Sequence, residues 1–209
     1  MARVEIFDLD GTLLDSGDVW RTIDERFLHK RGLTLPDDYA RAVSVMHLGE
    51  AADYTIARFS LNEQAEDIVA EWRQMAIEAY ATAVPMKEGA MEYLTARRAA
   101  GVRMAVATAL VREPAEAALR HHGILDWFET VVYADEVGAG KSSPAVYLAT
   151  AEQMGASPAE CTVYEDTLGG VRSAKAAGMY TIALEDKGSI PDREIIRSEA
   201  DEYWETFKI

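Results

Sequence analysis

The sequence predicts an α/β fold: a parallel sheet with helices on both faces, plus an all-helical block inserted after the first strand. Three observations carry this. After Pro85, short β-prone apolar runs alternate with stretches of helical spacing, and such alternation builds a parallel sheet because each crossover needs a helix. From residue 15 to 84 the spacing is helical and no run reads as a strand. The residues able to do chemistry fall at the ends of the predicted strands, which is where an open parallel sheet binds ligands.

The elements follow in order. Residues 3–9 read as a strand, with Val4, Ile6 and Phe7 delivering Asp8 at its end. Val19, Trp20, Ile23, Phe27 and Leu28 recur at three and four, predicting a helix over 18–31 that Gly32 ends. Pro36 suits a helix start, and 37–46 reads as helical. Gly49 is expected to interrupt, with a further helix through Tyr54, Ile56 and Phe59. Asn62 is the expected N-cap of a long helix to about Ala83. Past Pro85 the expectation is helix 87–100, strand 102–108, helix 111–122, strand 130–134 and helix 144–155. Ser157-Pro158-Ala159-Glu160 reads as a capping box with proline in the first turn. Strand 161–164, helix 167–177 and strand 180–184 follow, then a short helix and an edge segment within 190–209. The expected units are 1–14 with 85–209 as the sheet core, and 15–84 as the helical insertion.

Bulk properties narrow the function. Twenty-one basic against 36 acidic side chains leave a net charge of −15 in 209 residues, which opposes binding to nucleic acid or an anionic membrane. A small anionic substrate responds instead to the local field of a cleft. Cys161, the one cysteine, excludes an intramolecular disulfide and fits a reducing compartment; it opens an apolar run and reads as a small core residue. No apolar run reaches membrane-spanning length, and the first residues lack a targeting pattern. The expected location is cytoplasmic, as a monomer or weak homodimer.

Four predicted strand ends carry reactive groups: Asp8 and Asp10, Thr108, Lys141 in the loop after the third strand, and Glu165-Asp166. Each has a bland alternative. Asp10-Gly11 makes a good turn, Thr108 suits a helix N-cap, Lys141 suits an exposed lysine, and Glu165-Asp166 suit the cap of helix 167–177. Coincidence at four strand ends favours one shared site. Gly140-Lys141-Ser142 is not a phosphate-binding loop, because Asp135 stands where its first glycine belongs. Gly138-Ala139-Gly140 lacks the third glycine of a dinucleotide fingerprint. The four histidines show no metal spacing, and His121 and His122 read as exposed.

Asp8-Leu9-Asp10-Gly11-Thr12, Thr108, Lys141 and Glu165-Asp166 resemble, in order, the four motifs of the haloacid dehalogenase superfamily. The insertion resembles the helical cap of its β-phosphoglucomutase-like branch. The resemblance spans essentially the whole chain and implies a Rossmann-like core. It implies Asp8 as nucleophile through an aspartyl-phosphate, Asp10 as acid and base, and Thr108 and Lys141 holding the phosphoryl group with backbone N–H groups near Leu9 and Ala109. Mg²⁺ would sit on the Asp8 carboxylate, the Asp10 carbonyl and Asp166, with Glu165 a ligand or a partner of metal-bound water. His47, Gly49 and Glu50 become the candidate substrate-facing residues of the cap.

Two departures bear on activity. Ser142-Ser143-Pro144-Ala145 lacks the carboxylate that the family often carries after its lysine. Glu50-Ala51-Ala52-Asp53 lacks the arginine that mutases carry shortly after the glycine matched to Gly49, and an arginine suits a distal phosphate. The expectation is therefore a Mg²⁺-dependent phosphatase acting on a small phosphorylated metabolite. The alternatives are a phosphomutase and a non-catalytic phosphate- or metal-binding regulator. Dehalogenation leaves Asp10 without a task. Phosphonate cleavage needs a Schiff-base lysine, and nothing marks Lys30 as one.

Overall fold

The computed structural model describes residues 4–43, 46, 48–138 and 143–208, with the side chain of Arg41 left aside. Six strands form one parallel sheet: β1 (Val4–Phe7), β2 (Arg103–Thr108), β3 (Thr130–Tyr133), β4 (Cys161–Glu165), β5 (Tyr180–Leu184) and β6 (Glu202–Trp204), in the order β3-β2-β1-β4-β5-β6. Ile6 pairs with Ala105 on one side and Val163 on the other. The chain works outward from β1 to β3, then returns to β4 and works outward the other way. That reversal opens a crevice between β1 and β4 at the carboxyl edge, as in other doubly wound sheets.

Period-2 alternation places helices on both faces. Val4, Ile6, Ala105, Ala107, Cys161 and Val163 pack on one face with Val146, Tyr147 and Ala151 of α7 (Ala145–Gln153) and Ala174 of α8 (Leu168–Ala176). On the other face Phe7 stacks on Tyr164 at 4.5 Å and meets Tyr93 of α5 (Ala90–Ala99) edge-on at 6.4 Å. α6 (Arg112–His121) joins β2 to β3, and Ile196 of α9 (Arg193–Glu199) packs on Val171 and Ala183. Cys161 is buried in the core, as its apolar context predicts.

Contacts divide the chain into two units. One is Asp18–Ala83; the other is the remainder, which leaves off at Gly17 and resumes at Val84. The first is all helix among its described residues: α1 (Val19–Lys30), α2 (Tyr39–Val43), α3 (Leu48–Phe59) and α4 (Ala65–Thr82). Ile23, Phe27 and Leu28 of α1 and Ile68, Trp72, Ala76 and Tyr80 of α4 are buried, with Phe27 edge-on to Trp72 at 5.3 Å. No described helix is long and apolar enough to cross a membrane.

Several boundaries differ from expectation. Gly49 does not interrupt; it lies in the first turn of α3, where a glycine is tolerated because few helical hydrogen bonds depend on it. Asn62 is not the cap of α4. Gln64 holds that position without a side-chain cap bond, and Glu66 and Asp67 supply the first-turn charge. α5 starts at Ala90, not 87, because Gly89 just before it holds a φ of 76°, a left-handed conformation outside the helix. Ser157-Pro158-Ala159-Glu160 does form a capping box, on a single 3₁₀ turn feeding β4. His121 is exposed but His122 is half-buried, its Nε2 2.9 Å from Val84 O. The predicted edge segment is the parallel strand β6.

Candidate active site

β1 ends as the sequence predicts, because the chain needs a sharp turn there. The Asp8 N–H still donates to Tyr164 O at 3.0 Å, extending the ladder by one residue. The backbone then folds back, with Thr12 N and Leu14 N donating to Leu9 O and Gly11 N donating to Leu14 O. Gly11 holds a φ of 78°, a left-handed conformation that glycine adopts without strain. A Cβ on Gly11 would run into the Asp166 carboxylate, so the loop after β1 and the end of β4 are in direct contact.

That contact assembles a cluster. Carboxylate oxygens of Asp8, Glu165 and Asp166 lie within 4.8 Å of one another, and all three residues are buried. Thr12 donates its hydroxyl to Asp166 Oδ1 at 3.2 Å. Ser189 reaches Asp166 Oδ2 at 3.5 Å, the limit of a hydrogen bond. Three buried carboxylates this close repel strongly unless a cation or protons intervene. An all-oxygen donor set of this kind suits a hard divalent cation, so the residues fit the metal that the sequence implies. Asp10 is half-buried and adds no carboxylate to the cluster.

Glu165 is held by its own loop. Oε2 accepts from the Asp166 N–H at 2.8 Å, the Thr167 N–H at 2.9 Å and the Thr167 hydroxyl at 3.0 Å. Oε1 accepts from the Tyr147 hydroxyl at 2.9 Å. Burial first, and the Glu165 charge second, push the Tyr147 phenol well above its ordinary pKa, so Tyr147 stays a donor. The capping alternative for Glu165 is thus part of its role, since it gathers N–H groups just ahead of α8. The N-cap itself is Thr167, which accepts from Gly170 N at 3.1 Å.

Thr108 ends β2, the strand paired with β1, and is fully buried. Its Oγ1 accepts from Leu110 N at 3.0 Å, a local turn; it is not the N-cap of α6, where Val111 sits. Ala109 is exposed at this rim, and the Leu9 side chain is core, leaving only its backbone for a ligand. Lys141 and His47 lie outside the described residues. Gly49 and Glu50 fall in α3 of the helical unit, with Glu50 exposed. Sequence reasoning missed the roles of Thr12, Tyr147, Thr167 and Ser189. Thr12 sat inside a quoted motif and was legible. Tyr147 carried no signal, because one tyrosine on a helix reads as core.

Comparison with known proteins agrees with this geometry. Residues 3–178 match the family model of the haloacid dehalogenase-like hydrolases. The chain is 30% identical over 184 residues to validoxylamine A 7′-phosphate phosphatase of Streptomyces hygroscopicus subsp. limoneus, covering 88% of this chain and 86% of that protein. It is 32% identical to hexitol phosphatase A of Escherichia coli (strain K12), covering 89% and 84%. Among solved structures, β-phosphoglucomutase from Clostridium difficile superposes with a TM-score of 0.72 at 18% identity, over 99% of this chain and 92% of that one, a likeness of fold. With its β1 motif, its acidic cluster at the switch point and a family match over most of its length, the chain belongs to the haloacid dehalogenase-like hydrolases and is an enzyme.

Proposed function

We propose that the protein is a Mg²⁺-dependent phosphatase of a small phosphorylated metabolite, a sugar phosphate or a close chemical relative, working through an aspartyl-phosphate. The observation that carries the reading is the buried trio Asp8, Glu165 and Asp166 at the carboxyl edge of adjacent strands. The phosphate esters named in two relatives, a hexitol phosphatase and a validoxylamine 7′-phosphate phosphatase, support the substrate class.

Asp8 attacks phosphorus, and the bond to the leaving oxygen breaks as Asp10 gives that oxygen a proton. Asp10 then takes a proton from water, which attacks the aspartyl-phosphate, releases phosphate and restores Asp8. Thr108, Lys141 and the N–H groups of Leu9 and Ala109 hold the phosphoryl oxygens. Mg²⁺, held by Asp8, Asp166 and the Asp10 carbonyl, would supply the positive charge that lets a phosphate dianion approach an aspartate. The reading assigns substrate selection to the helical unit, with His47, Gly49 and Glu50 as candidates. The mutase alternative is disfavoured by Glu50-Ala51-Ala52-Asp53, which offers no arginine. The single cysteine, buried, fits a cytoplasmic setting.

The test is phosphate release from a panel of phosphorylated hexoses, hexitols and cyclitols, with and without Mg²⁺, run beside Asp8→Asn. The expected result is Mg²⁺-dependent turnover that falls at least about a thousandfold in the variant. Turnover that survives Asp8→Asn overturns the nucleophile. Isomerisation of a sugar phosphate without phosphate release would establish the mutase.

A further inference from the structure

We infer that Tyr147 is a positioning residue: its hydroxyl holds Glu165 as the strut of the Asp166 loop, and through it sets how tightly the carboxylate cluster takes a divalent cation. The inference rests on the metal-site reading above.

Tyr147 lies in the first turn of α7, on the face packed against the sheet, and is fully buried. A buried phenol oxygen needs a partner, and here the partner is Glu165 Oε1 at 2.9 Å. The opposite oxygen collects both N–H groups of residues 166 and 167 and the Thr167 hydroxyl. Four donors thus meet this carboxylate, three on one oxygen and one on the other. The carboxylate is also wedged against Gly170, where a Cβ would overlap Cδ and both oxygens. Glu165 therefore sets the direction in which the backbone leaves β4, and that direction aims Asp166 at Thr12 and Asp8. Three of these bonds hold the loop that carries Asp166, which makes Glu165 a support for that ligand. Tyr147 is the one donor of the four that comes from a distant element, so it ties the loop to α7.

Deleting the Tyr147 oxygen leaves a buried carboxylate oxygen short of a donor and frees the strut to turn. Partners one step removed from a metal typically change its affinity by about 10–100-fold. The experiment is calorimetric titration of the protein with MgCl₂, without substrate, for the wild type, Tyr147→Phe, Glu165→Gln and the double variant. Tyr147→Phe and Glu165→Gln are each expected to weaken Mg²⁺ binding by about tenfold or more, and the double variant by no more than the worse single, because one acts through the other. In turnover, Tyr147→Phe should need more Mg²⁺ yet recover most of kcat at saturation. Unchanged or tighter Mg²⁺ binding in Tyr147→Phe overturns the inference, as do losses that multiply in the double variant. A lower Tm in EDTA with unchanged Mg²⁺ affinity assigns the hydroxyl to packing alone and also overturns it. Should Tyr147→Phe fail to fold, wild-type affinity in Glu165→Gln has the same effect. No Mg²⁺ binding by the wild type overturns the metal-site reading itself, a result distinct from all of these.

Discussion

Gly11→Ala tests whether the turn after β1 and the end of β4 are as closely fitted as the structure has them. Two costs are expected, and they can be separated. The first is conformational: Gly11 holds φ at 78°, and an L side chain in that region costs about 1–2 kcal/mol. The second is steric. The new methyl would overlap the Asp166 carboxylate, and Asp166 is buried and bonded to Thr12, so it cannot simply swing into solvent. Forcing a group into such a packed place costs about 1–3 kcal/mol. Gly101→Ala supplies the control. Gly101 has a similar φ of 70° with nothing within 4 Å of its would-be Cβ, and it precedes β2 at the amino edge of the sheet, away from the carboxylates. Urea unfolding should show a loss of about 1–2 kcal/mol for Gly101→Ala and roughly 2–5 kcal/mol for Gly11→Ala. Phosphatase kcat/KM should hold in Gly101→Ala and fall about 100-fold or more in Gly11→Ala, because a ligand displaced by an ångström loses that much. Equal stability losses and equal activity in the two variants would refute the close fit between Gly11 and Asp166.

Two further expectations concern the helical unit. Asp24, on α1, is 7% exposed, and burial, with Glu25 adding to it, raises its pKa from 3.8 to about 6. The folded state therefore holds the proton longer than the unfolded one, so this group costs nothing below pH 4 and its full cost appears above pH 6. At about 1.4 kcal/mol per pH unit the ceiling is about 3 kcal/mol. Asp24→Asn should raise Tm at pH 8 and leave it unchanged near pH 3.5; a gain independent of pH would count against the buried carboxyl. Arg31 closes α1 by stacking its guanidinium 3.6 Å from the Phe27 ring and pairing with Glu63 and with Glu71 at 2.8 Å. Arg31→Ala should cost about 2 kcal/mol at pH 7 by urea unfolding. Arg31 holds both carboxyls below their usual 4.5, so their stabilisation is present above that pH and fades below it, and the cost of the variant should shrink towards pH 3. An undiminished cost at pH 3 would assign Arg31 to packing alone.

Much of the core was legible because its signals are local. Short β-prone runs such as Val4–Phe7 and Cys161–Glu165, and the glycines that follow α1, α5, α6, α7 and α8, depend on neighbours a few residues away, so alternation of strand and helix alone yielded the parallel sheet and its helices. The places of Asp8, Thr108, Glu165 and Asp166 were legible for the same reason, since each stands at or just past the end of such a run. At His122 the reading failed because a distant group intervened, the Val84 carbonyl; at Gly49, Asn62 and the start of α5 it failed on helix ends, which local signals place only to within a few residues.

By itself the sequence determined the chemistry available: two carboxylates after one strand, two after another and a hydroxyl after a third. Only the tertiary structure decided that β1 lies between β2 and β4, which brings Asp8 within reach of residues more than 150 positions away. It also decided that Glu165 turns towards Tyr147 and rests on Gly170, and that Thr12 reaches Asp166. The physical reason is that strand order and side-chain partners are settled by packing and hydrogen bonding between segments remote in sequence, where propensity and periodicity carry no information.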